Sequence, residues 1–297
     1  MDNEVVSIAL FLFDPPLFSG FSARTKINSV KKTLPSKKSL PKAWSFRNKI
    51  VILHQKQVNN KKQPKMSNAK KLFMGVGIAA IATLSACSSS NTGNLTQSGL
   101  NPADFDSTVL GKKTELVTLK NANGMEVCLT NYGGRVVSIS VPDKNGKPTD
   151  VVLGYDNIHQ YADTLNSPSD YGSSVGRYAN RIKDAKLKLA GSEYQLKAND
   201  NGNCLHGGGA TGWVNQVYDI TEKNDSSVTF VINAKDGENG FPGNVTATAT
   251  YTVKSDNTLD IVFGATTDKE TVINMTNHSY FNLNGDPSKE GFDQVMY

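Results

Sequence analysis

Residues 245–253 read VTATATYTV and residues 259–263 read LDIVF, with the turn-forming residues SDN at 255–257 between them. In the first segment threonine alternates with apolar residues, a period of two that is typical of a strand with one face turned toward a core. Two such segments joined by a short polar turn predict an antiparallel hairpin. Strand-like sequence of this kind dominates the chain from about residue 114 onward.

Four further segments have the same β-branched, partly alternating character, and short words rich in Gly, Asn and Asp separate them. These segments are residues 116–119, 126–130, 136–141 and 227–232. The only helical signal in this part of the chain is a short turn near residues 157–161. Many short strands joined by hairpin turns favour an all-β fold, and specifically an antiparallel β-sandwich.

The charge of the chain is unevenly distributed. Its 297 residues carry a formal net charge of +5, which taken alone would suggest binding to nucleic acid. Residues 1–65 hold 13 Lys and Arg against 3 Asp and Glu, whereas residues 87–297 hold 17 against 24. The strand-rich part is therefore acidic, and it lacks the clustered Lys and Arg that a phosphate backbone requires. No nucleic-acid partner is expected.

Residues 66–87 have the organisation of a secretory signal. Two lysines precede an apolar run over residues 72–84, and the sequence LSAC ends at Cys87. A charged start, an apolar stretch of about 7–15 residues and small residues before the cleavage point define such signals. The alternative, a transmembrane helix, needs about 18–20 apolar residues.

Because it ends in cysteine, this segment resembles a bacterial lipoprotein signal, in which the cysteine thiol takes the lipid. The resemblance implies a signal peptide over residues 66–86 and a lipid anchor at Cys87. The mature protein would then be attached to a membrane of the bacterial cell envelope, facing the periplasm or the outer surface.

The segments on either side of the signal are interpreted from it. Residues 1–65 are basic, contain five prolines and precede a signal that works only at an N-terminus. They are interpreted as spurious upstream sequence from an earlier start codon, with a basic disordered arm as the alternative. Residues 87–105 are assigned to a polar tether, since residues 88–98 read SSSNTGNLTQS. Residues 106–297 form the predicted β-sandwich domain.

Two histidines lie in unusually polar surroundings. His278 belongs to TNHSYFNL at 276–283, and His206 belongs to NCLHGG at 203–208. A single histidine in a strand-like run is more often structural than catalytic. Neither residue has the apolar neighbours of a core histidine, however, and imidazole is suited to proton transfer near neutral pH. Both are therefore candidates for acid–base chemistry.

Six sequence words carry a resemblance to a known family. They are NYGG (131–134), DVVLGYD (150–156), GRYANRI (176–182), LHGG (205–208), DGENGFPG (236–243) and NHSYFNL (277–283). In this order, and at close to this spacing, they resemble the aldose 1-epimerases, the galactose mutarotase family. The resemblance implies the large, twisted antiparallel β-sandwich of the galactose mutarotase type, an aldose such as galactose or glucose as substrate, and no cofactor.

The same resemblance implies a reaction and a set of site residues. The reaction is the interconversion of α and β anomers by acid–base opening and closing of the sugar ring. His278 would be the general acid that protonates the ring oxygen, and His206 a second catalytic residue that hydrogen-bonds the sugar near the same oxygen. Arg181 and Asn180 would bind sugar hydroxyls, for which a guanidinium offers a fixed fork of donors.

Other residues near these words are interpreted as structural. In DGENGFPG, Gly240 and Gly243 are expected to shape a turn. Two further cysteines, Cys128 and Cys204, have no spacing pattern of a disulfide framework, so no bridge is expected. No His-x-His or cysteine pair with ligand spacing accompanies the histidines, and no metal site is expected.

The base of the reaction is not identified in the sequence. In the family it is a glutamate from the C-terminal part, and the last glutamate here, Glu290, lies in a Lys-Glu-Gly setting typical of a solvated loop. The chain is therefore expected to be a C-terminally incomplete and inactive member of the family. A non-catalytic carbohydrate-binding β-sandwich is the alternative.

Overall fold

The structure, a computed structural model, describes residues 42–51, 95–292 and 294–295. The predicted signal peptide at 66–86 and the predicted lipidation site Cys87 lie outside the described residues. Within those ranges, no helix has the length and apolar character needed to cross a membrane.

Strands make up nearly all the regular structure in the described ranges, which contain seventeen strands and one short α-helix. The strands are β1 (Lys42–Val51), β2 (Ser107–Val109), β3 (Lys112–Thr114), β4 (Leu116–Lys120), β5 (Glu126–Thr130), β6 (Arg135–Pro142), β7 (Pro148–Asp150), β8 (Ser174–Val175), β9 (Arg181–Ile182), β10 (Lys186–Leu189), β11 (Ser192–Gln195), β12 (Cys204–Leu205), β13 (Asp219–Lys223), β14 (Ser227–Ala234), β15 (Val245–Val253), β16 (Thr258–Thr267) and β17 (Thr276–Asn277). The helix, α1, is Ile158–Ala162, and the 3-10 turns are Pro102–Phe105, Lys183–Ala185, Gly209–Thr211, Trp213–Asn215 and Glu238–Gly240.

Two antiparallel sheets form the body of the protein. The larger has the strand order β1-β16-β15-β14-β13, and the smaller has the order β4-β5-β6-β7. β15 and β16 form the hairpin predicted from residues 245–263, with Tyr251 opposite Ile261. The other named strands in the described ranges pair antiparallel as short two-stranded ribbons.

An apolar core fills the space between the two sheets. In β15 the apolar residues at alternate positions are buried, whereas the threonines between them are half-buried or exposed. Phe230 of the larger sheet is fully buried in one cluster with Leu119 and Ile139 of the smaller sheet. The period of two in the sequence therefore selects the face of each strand that meets the core, and the predicted sandwich is confirmed.

The predicted elements agree with the structure and differ only at their ends. Each of the six segments predicted as strands forms one, in β4, β5, β6, β14, β15 and β16. The helical turn expected near residues 157–161 is α1. The side chain of Asn157 caps this helix by accepting a hydrogen bond from the N–H of Gln160 at 3.0 Å.

Among the strands that were not predicted, β1 is the longest. It lies within residues 1–65, and it pairs antiparallel along the whole of β16, from Lys42 opposite Thr267 to Val51 opposite Thr258. Without this partner, β16 would present a row of unpaired backbone N–H and C=O groups at the edge of the larger sheet. The sequence signal is an alternation of Trp44, Phe46 and Ile50, which the basic composition of the surrounding segment obscures.

The structure also places the end of the predicted tether against the domain. Residues 95–105 belong to the segment that the sequence assigns to the tether, yet Leu100 and Phe105 are buried in a cluster with Tyr161. The N–H of Gln97 donates to the Glu126 carboxylate at 2.6 Å. Two apolar residues in an otherwise polar segment are enough to anchor it, because both fit a cluster beside the smaller sheet.

The two described cysteines are buried in different places. Cys128 in β5 and Cys204 in β12 are free thiols that belong to separate apolar clusters. Burial raises the pKa of the Cys128 thiol to about 11, which keeps it protonated and unreactive.

Two of the ribbons position the predicted site residues. β9 pairs with β12, which places Arg181 opposite Leu205, and β8 pairs with β17. His206 follows β12 directly, and His278 follows β17. Residues that are distant in sequence therefore meet beside the sandwich.

Candidate functional site

His206 is fixed to the end of the neighbouring strand by two hydrogen bonds with Asn180. The backbone N–H of His206 donates to the carbonyl oxygen of Asn180 at 3.1 Å. In return, the backbone N–H of Asn180 donates to Nδ1 of the His206 ring at 3.0 Å. Both the backbone and the ring of His206 are therefore held in one orientation.

The backbone around this pair adopts left-handed conformations. Asn180 has φ of 67°, His206 of 52° and Gly207 of 81°. For a residue with a side chain this conformation costs roughly 1–2 kcal/mol, and such residues concentrate at functional sites. A Cβ at Gly207 would lie 2.4 Å from the carbonyl oxygen of Gly176. The turn therefore requires glycine after the histidine.

The contact with Asn180 determines which nitrogen of neutral His206 carries the proton. Because Nδ1 accepts a hydrogen bond, the proton of the neutral ring is on Nε2. Protonation of Nδ1 would place its N–H opposite the N–H of Asn180, and neither group could accept a hydrogen bond from the other. Burial lowers the pKa of His206, and Asp170 opposes this effect while His278 acts in the same direction. His206 is therefore a neutral imidazole that donates through Nε2.

His278 is held against residues 172 and 173, which immediately precede β8. Its N–H donates to the carbonyl oxygen of Ser173 at 2.9 Å, and its own carbonyl accepts from the N–H of Gly172 at 3.0 Å. The ring centroid lies 5.2 Å from that of His206, with the two rings nearly perpendicular at 87°. The Tyr280 ring lies 5.2 Å away on another side. The structure thus brings the two predicted histidines together.

A carboxylate that sequence reasoning missed completes the cluster. One ring nitrogen of His206, one ring nitrogen of His278 and a carboxylate oxygen of Asp170 all lie within 4.8 Å of one another, and all three residues are half-buried. Asp170 belongs to none of the six sequence words. Its only sequence signal is that it lies shortly before β8. This strand pairs with β17, which His278 directly follows.

A cavity of about 720 Å³ opens beside this cluster. Its lining includes Asp170, Asn199, His206, Asn215 and Tyr280. Amide, imidazole, carboxylate and phenol groups together offer the mixture of donors and acceptors that a polyhydroxylated ligand needs. None of the described glutamates lines the cavity, and Glu290 is exposed, in agreement with its interpretation as part of a solvated loop.

The two predicted sugar-binding residues lie next to His206. Arg181 is exposed over 54% of its side chain, and its Nε donates to Asp200 at 2.6 Å. Asp200 was not predicted, because it contacts Arg181 only after the chain turns back through residues 201–203. The Asn180 side chain accepts a hydrogen bond from the N–H of Arg181 at 2.9 Å. Their contacts with sugar stay predictions.

Two imidazoles and a carboxylate form a donor set that can hold a divalent transition metal. A metal-bound histidine almost always donates its other ring N–H to an acceptor. At His206 the other ring nitrogen faces the Asn180 N–H, which is a donor. Coordination through Nε2 would require the proton to move to Nδ1 and this hydrogen bond to break. The arrangement therefore favours hydrogen bonding to a ligand over metal binding.

A buried arginine, Arg135, forms hydrogen bonds with residues that line the cavity. Arg135 is fully buried, and its guanidinium donates to the carbonyl oxygens of Ser169 at 3.0 Å, Tyr171 at 3.1 Å and Val214 at 2.6 Å. It also lies 5.2 Å from the centroid of the Tyr161 ring. Sequence reasoning missed this residue, because a strand arginine normally indicates a solvated face.

The turn at residues 236–243 has the structural role expected of it. Gly240 has φ of 86°, and a Cβ there would lie 2.1 Å from the carbonyl oxygen of Gln195. Gly243 also adopts φ of 86°. The buried guanidinium of Arg177 donates to the carbonyl of Pro242 at 2.8 Å and so fixes the end of the turn.

Comparison with known proteins places the fold and the cluster in context. The family model described as aldose 1-epimerase matches residues 115–294. The aldose 1-epimerase of Escherichia coli (strain K12) is 38% identical over 178 residues, which cover 60% of this chain and 50% of that protein. The galactose mutarotase of Mus musculus is 36% identical over 177 residues, covering 58% and 48%. The chain spans about half the length of the curated relatives it matches.

Solved structures agree with these matches. The GalM/aldose epimerase homologue from C. elegans is 34% identical, with a TM-score of 0.55 over 58% of this chain and 52% of that one. Galactose 1-epimerase from Lactobacillus acidophilus NCFM is 29% identical, with a TM-score of 0.52 over 60% and 51%. The all-β fold of the galactose mutarotase type is confirmed. Since the family model covers more than half of the sequence, the chain belongs to the aldose 1-epimerase family.

Proposed function

We propose that the protein interconverts the α and β anomers of an aldose, with galactose or glucose as substrate. The observation that carries this proposal is the paired arrangement of His206 and His278, in which one imidazole is held as a neutral donor and the other lies beside it. Family membership supports the same reaction, and the cavity next to the pair offers polar groups suited to a sugar.

The reaction requires two coordinated proton transfers. A base removes the proton of the anomeric hydroxyl, whose electrons form the aldehyde carbonyl. The bond between the anomeric carbon and the ring oxygen breaks, and an acid protonates that oxygen. The aldehyde rotates, and the reverse steps close the ring to either anomer. A correctly positioned acid or base contributes roughly 10² to 10⁴-fold to such a rate.

The geometry divides these roles between the two histidines. His206 donates from Nε2 while Nδ1 holds the Asn180 N–H, so a full proton cycle on this ring would repeatedly break its anchoring bond. We therefore assign His206 to orienting the ring oxygen. His278 is assigned as the general acid. Its backbone is fixed by β-type hydrogen bonds, which leaves the position of the ring well defined for proton transfer.

Sugar hydroxyls are assigned to Arg181 and Asn180. The ion pair with Asp200 fixes the orientation of the Arg181 guanidinium next to His206. A fixed fork of N–H donors suits two adjacent hydroxyl oxygens. Asn180 adds an amide side chain on the strand end that holds the His206 ring.

The base of the reaction is proposed to be a glutamate outside the described residues, because the relatives are about twice as long as the matched region and no described glutamate lines the cavity. The 297-residue chain alone is then expected to be essentially inactive. The test is a fusion in which residues 95–292 are followed by the remaining half of the E. coli relative, here called the completed fusion.

Mutarotation of freshly dissolved α-D-galactose is followed by polarimetry for the 297-residue chain and for the completed fusion. The proposal predicts a rate close to buffer for the chain and a rate far above buffer for the fusion. A cooperatively folded fusion without activity would contradict the proposed reaction. Activity of the 297-residue chain would instead contradict the assignment of the base.

We also propose that the protein is a lipoprotein of the bacterial cell envelope, anchored through Cys87. Cleavage before Cys87 would remove β1, so the pairing of β1 with β16 would be absent from the mature lipoprotein. The support is the sequence of residues 66–87, with two lysines, an apolar run and small residues before the cysteine. Cells expressing the wild type or Cys87→Ala are labelled with a radioactive fatty acid. Label in the wild type alone is expected, and equal label in both would contradict the anchor.

A further inference from the structure

The carboxylate of Asp170 faces both imidazoles of the site. A carboxylate oxygen, one ring nitrogen of His206 and one ring nitrogen of His278 lie within 4.8 Å of one another. Asp170 is half-buried and lines the cavity. A charge in this position acts on whichever ring carries the transferable proton, because opposite charges separated by about 4–6 Å favour the ionised forms.

Hydrogen bonds to the residues on both sides of Asp170 fix its backbone. Arg135 donates to the carbonyl oxygens of the residues before and after it, Ser169 at 3.0 Å and Tyr171 at 3.1 Å. The carbonyl oxygen of Asp170 itself accepts from the N–H of Ser173 at 3.1 Å and from its hydroxyl at 2.9 Å. The backbone conformation of this segment is therefore fixed by a buried arginine and by Ser173, whose own carbonyl oxygen accepts the N–H of His278.

The other ionisable groups around the two rings do not replace this carboxylate. Burial raises the pKa of Tyr280 to about 12, so its phenol stays neutral. The charge of Arg181 opposes protonation of His206, and Asp200 is engaged by Arg181 at 2.6 Å. Tyr171 contacts the Tyr280 ring. Among the described groups around the rings, Asp170 is the carboxylate that reaches both imidazoles without an ion pair to an arginine or lysine.

His206 cannot make full use of this charge. Its Nδ1 accepts the Asn180 N–H, so conversion of the ring to the cation would break that hydrogen bond. The carboxylate is therefore available to orient His278, the ring assigned as the acid.

We infer that Asp170 is a positioning residue for proton transfer: its carboxylate faces the His278 ring and orients that ring for donation to the ring oxygen of the sugar. This inference rests on the roles proposed above for mutarotation. His278 gives its proton to the ring oxygen as the bond to the anomeric carbon breaks, and takes the proton back as the ring closes. Asp170 transfers no proton.

The first experiment needs no enzymatic activity. Nitrogen signals of the His278 ring in the 297-residue chain are compared by NMR in the wild type, Asp170→Asn and the control Asp225→Asn, which removes an exposed carboxylate elsewhere. The His278 ring signals are expected to move in Asp170→Asn, because a charge that faces the ring is removed, and to stay in place in the control. Asp170→Glu should restore most of the wild-type signal positions. Unmoved His278 signals in Asp170→Asn would overturn the inference, and Asp170→Ser serves if the Asn variant fails to fold.

The second experiment separates a positioning role from direct contact with sugar. In the completed fusion, Asp170→Asn should lower kcat by about tenfold, with KM changed less than about threefold. A KM raised about tenfold with an unchanged kcat would overturn the inference in favour of a sugar contact. Moved His278 signals in a chain whose fusion is inactive would uphold the pairing of Asp170 with His278 and contradict the proposed reaction instead.

Discussion

The β15–β16 hairpin and the turn that carries His206 show two different ways in which this sequence specifies structure. In the hairpin every second residue is apolar and buried, so many similar contacts place each strand in register. At the turn a few individual contacts decide the geometry, chiefly the two hydrogen bonds between Asn180 and His206. The outward-facing positions of the strands therefore tolerate single polar substitutions, whereas the geometry of the site depends on a few particular atoms.

The largest effect is expected from the site. In the completed fusion, His278→Ala should lower kcat by roughly 10² to 10⁴-fold, because a general acid contributes in the transition state, and should change KM little. Polarimetry with α-D-galactose measures both constants. The control Asp225→Asn should retain the full rate. A His278→Ala variant with more than about a tenth of the wild-type kcat would refute the role of the acid.

A core substitution should act on stability and leave the chemistry alone. Phe230→Ala removes a fully buried ring between the sheets, which should lower the free energy of unfolding by about 3–5 kcal/mol. Urea denaturation provides the measurement. Asn233→Ala, at an exposed position of the same strand, should cost less than about 1 kcal/mol. If both variants lost the same stability, β14 and the larger sheet to which it belongs would not be organised by the burial of alternate residues.

A smaller effect is expected where the site meets solvent. Arg181→Ala should raise KM about tenfold and lower kcat somewhat, because the guanidinium orients the sugar without exchanging protons with it. Lys188→Ala, which changes an exposed residue of β10, is the matched control. Substrate dependence of the initial rate distinguishes the two constants, and a KM within twofold of the wild type would remove Arg181 from the binding site.

The smallest effect is a pH dependence of stability that His206 introduces. Burial lowers its pKa in the folded state, so the unfolded chain binds the proton more readily. The contribution to stability is complete above the ordinary histidine value of about 6.5 and is lost as pH falls through the lowered folded value. As the pH is lowered from 7.5 to 5.5, the free energy of unfolding of His206→Gln should therefore fall less than that of the wild type. The difference between the two falls should be under about 1 kcal/mol, measured by urea unfolding. An equal loss in both proteins would contradict the burial effect.

The same comparison explains what the sequence could predict. The six predicted strands rest on alternation, which depends on many residues at once and survives local exceptions. His206 and His278 were identified from the sequence words LHGG and NHSYFNL, and Asn180 and Arg181 were identified from GRYANRI. β1 and the packing of residues 95–105 were missed because a basic or polar composition hides a few apolar residues.

Asp170, Arg135 and Asp200 were missed for a different reason. Their importance lies in contacts between distant parts of the chain, such as the bonds from Arg135 to Ser169 and Val214. No local period or word encodes such contacts. The division of roles between the two imidazoles was equally invisible, because it depends on a single hydrogen bond to Nδ1 of His206.

The central claim, that the two imidazoles have different proton-transfer roles, can be tested most directly by nitrogen NMR of the histidine rings in the 297-residue chain. The account predicts that at pH 7 His206 carries its proton on Nε2 with Nδ1 unprotonated, and that His206 takes up a second proton only below the ordinary histidine range, because burial lowers its pKa. A His206 ring protonated on Nδ1, or one that becomes cationic within or above that range, would contradict it.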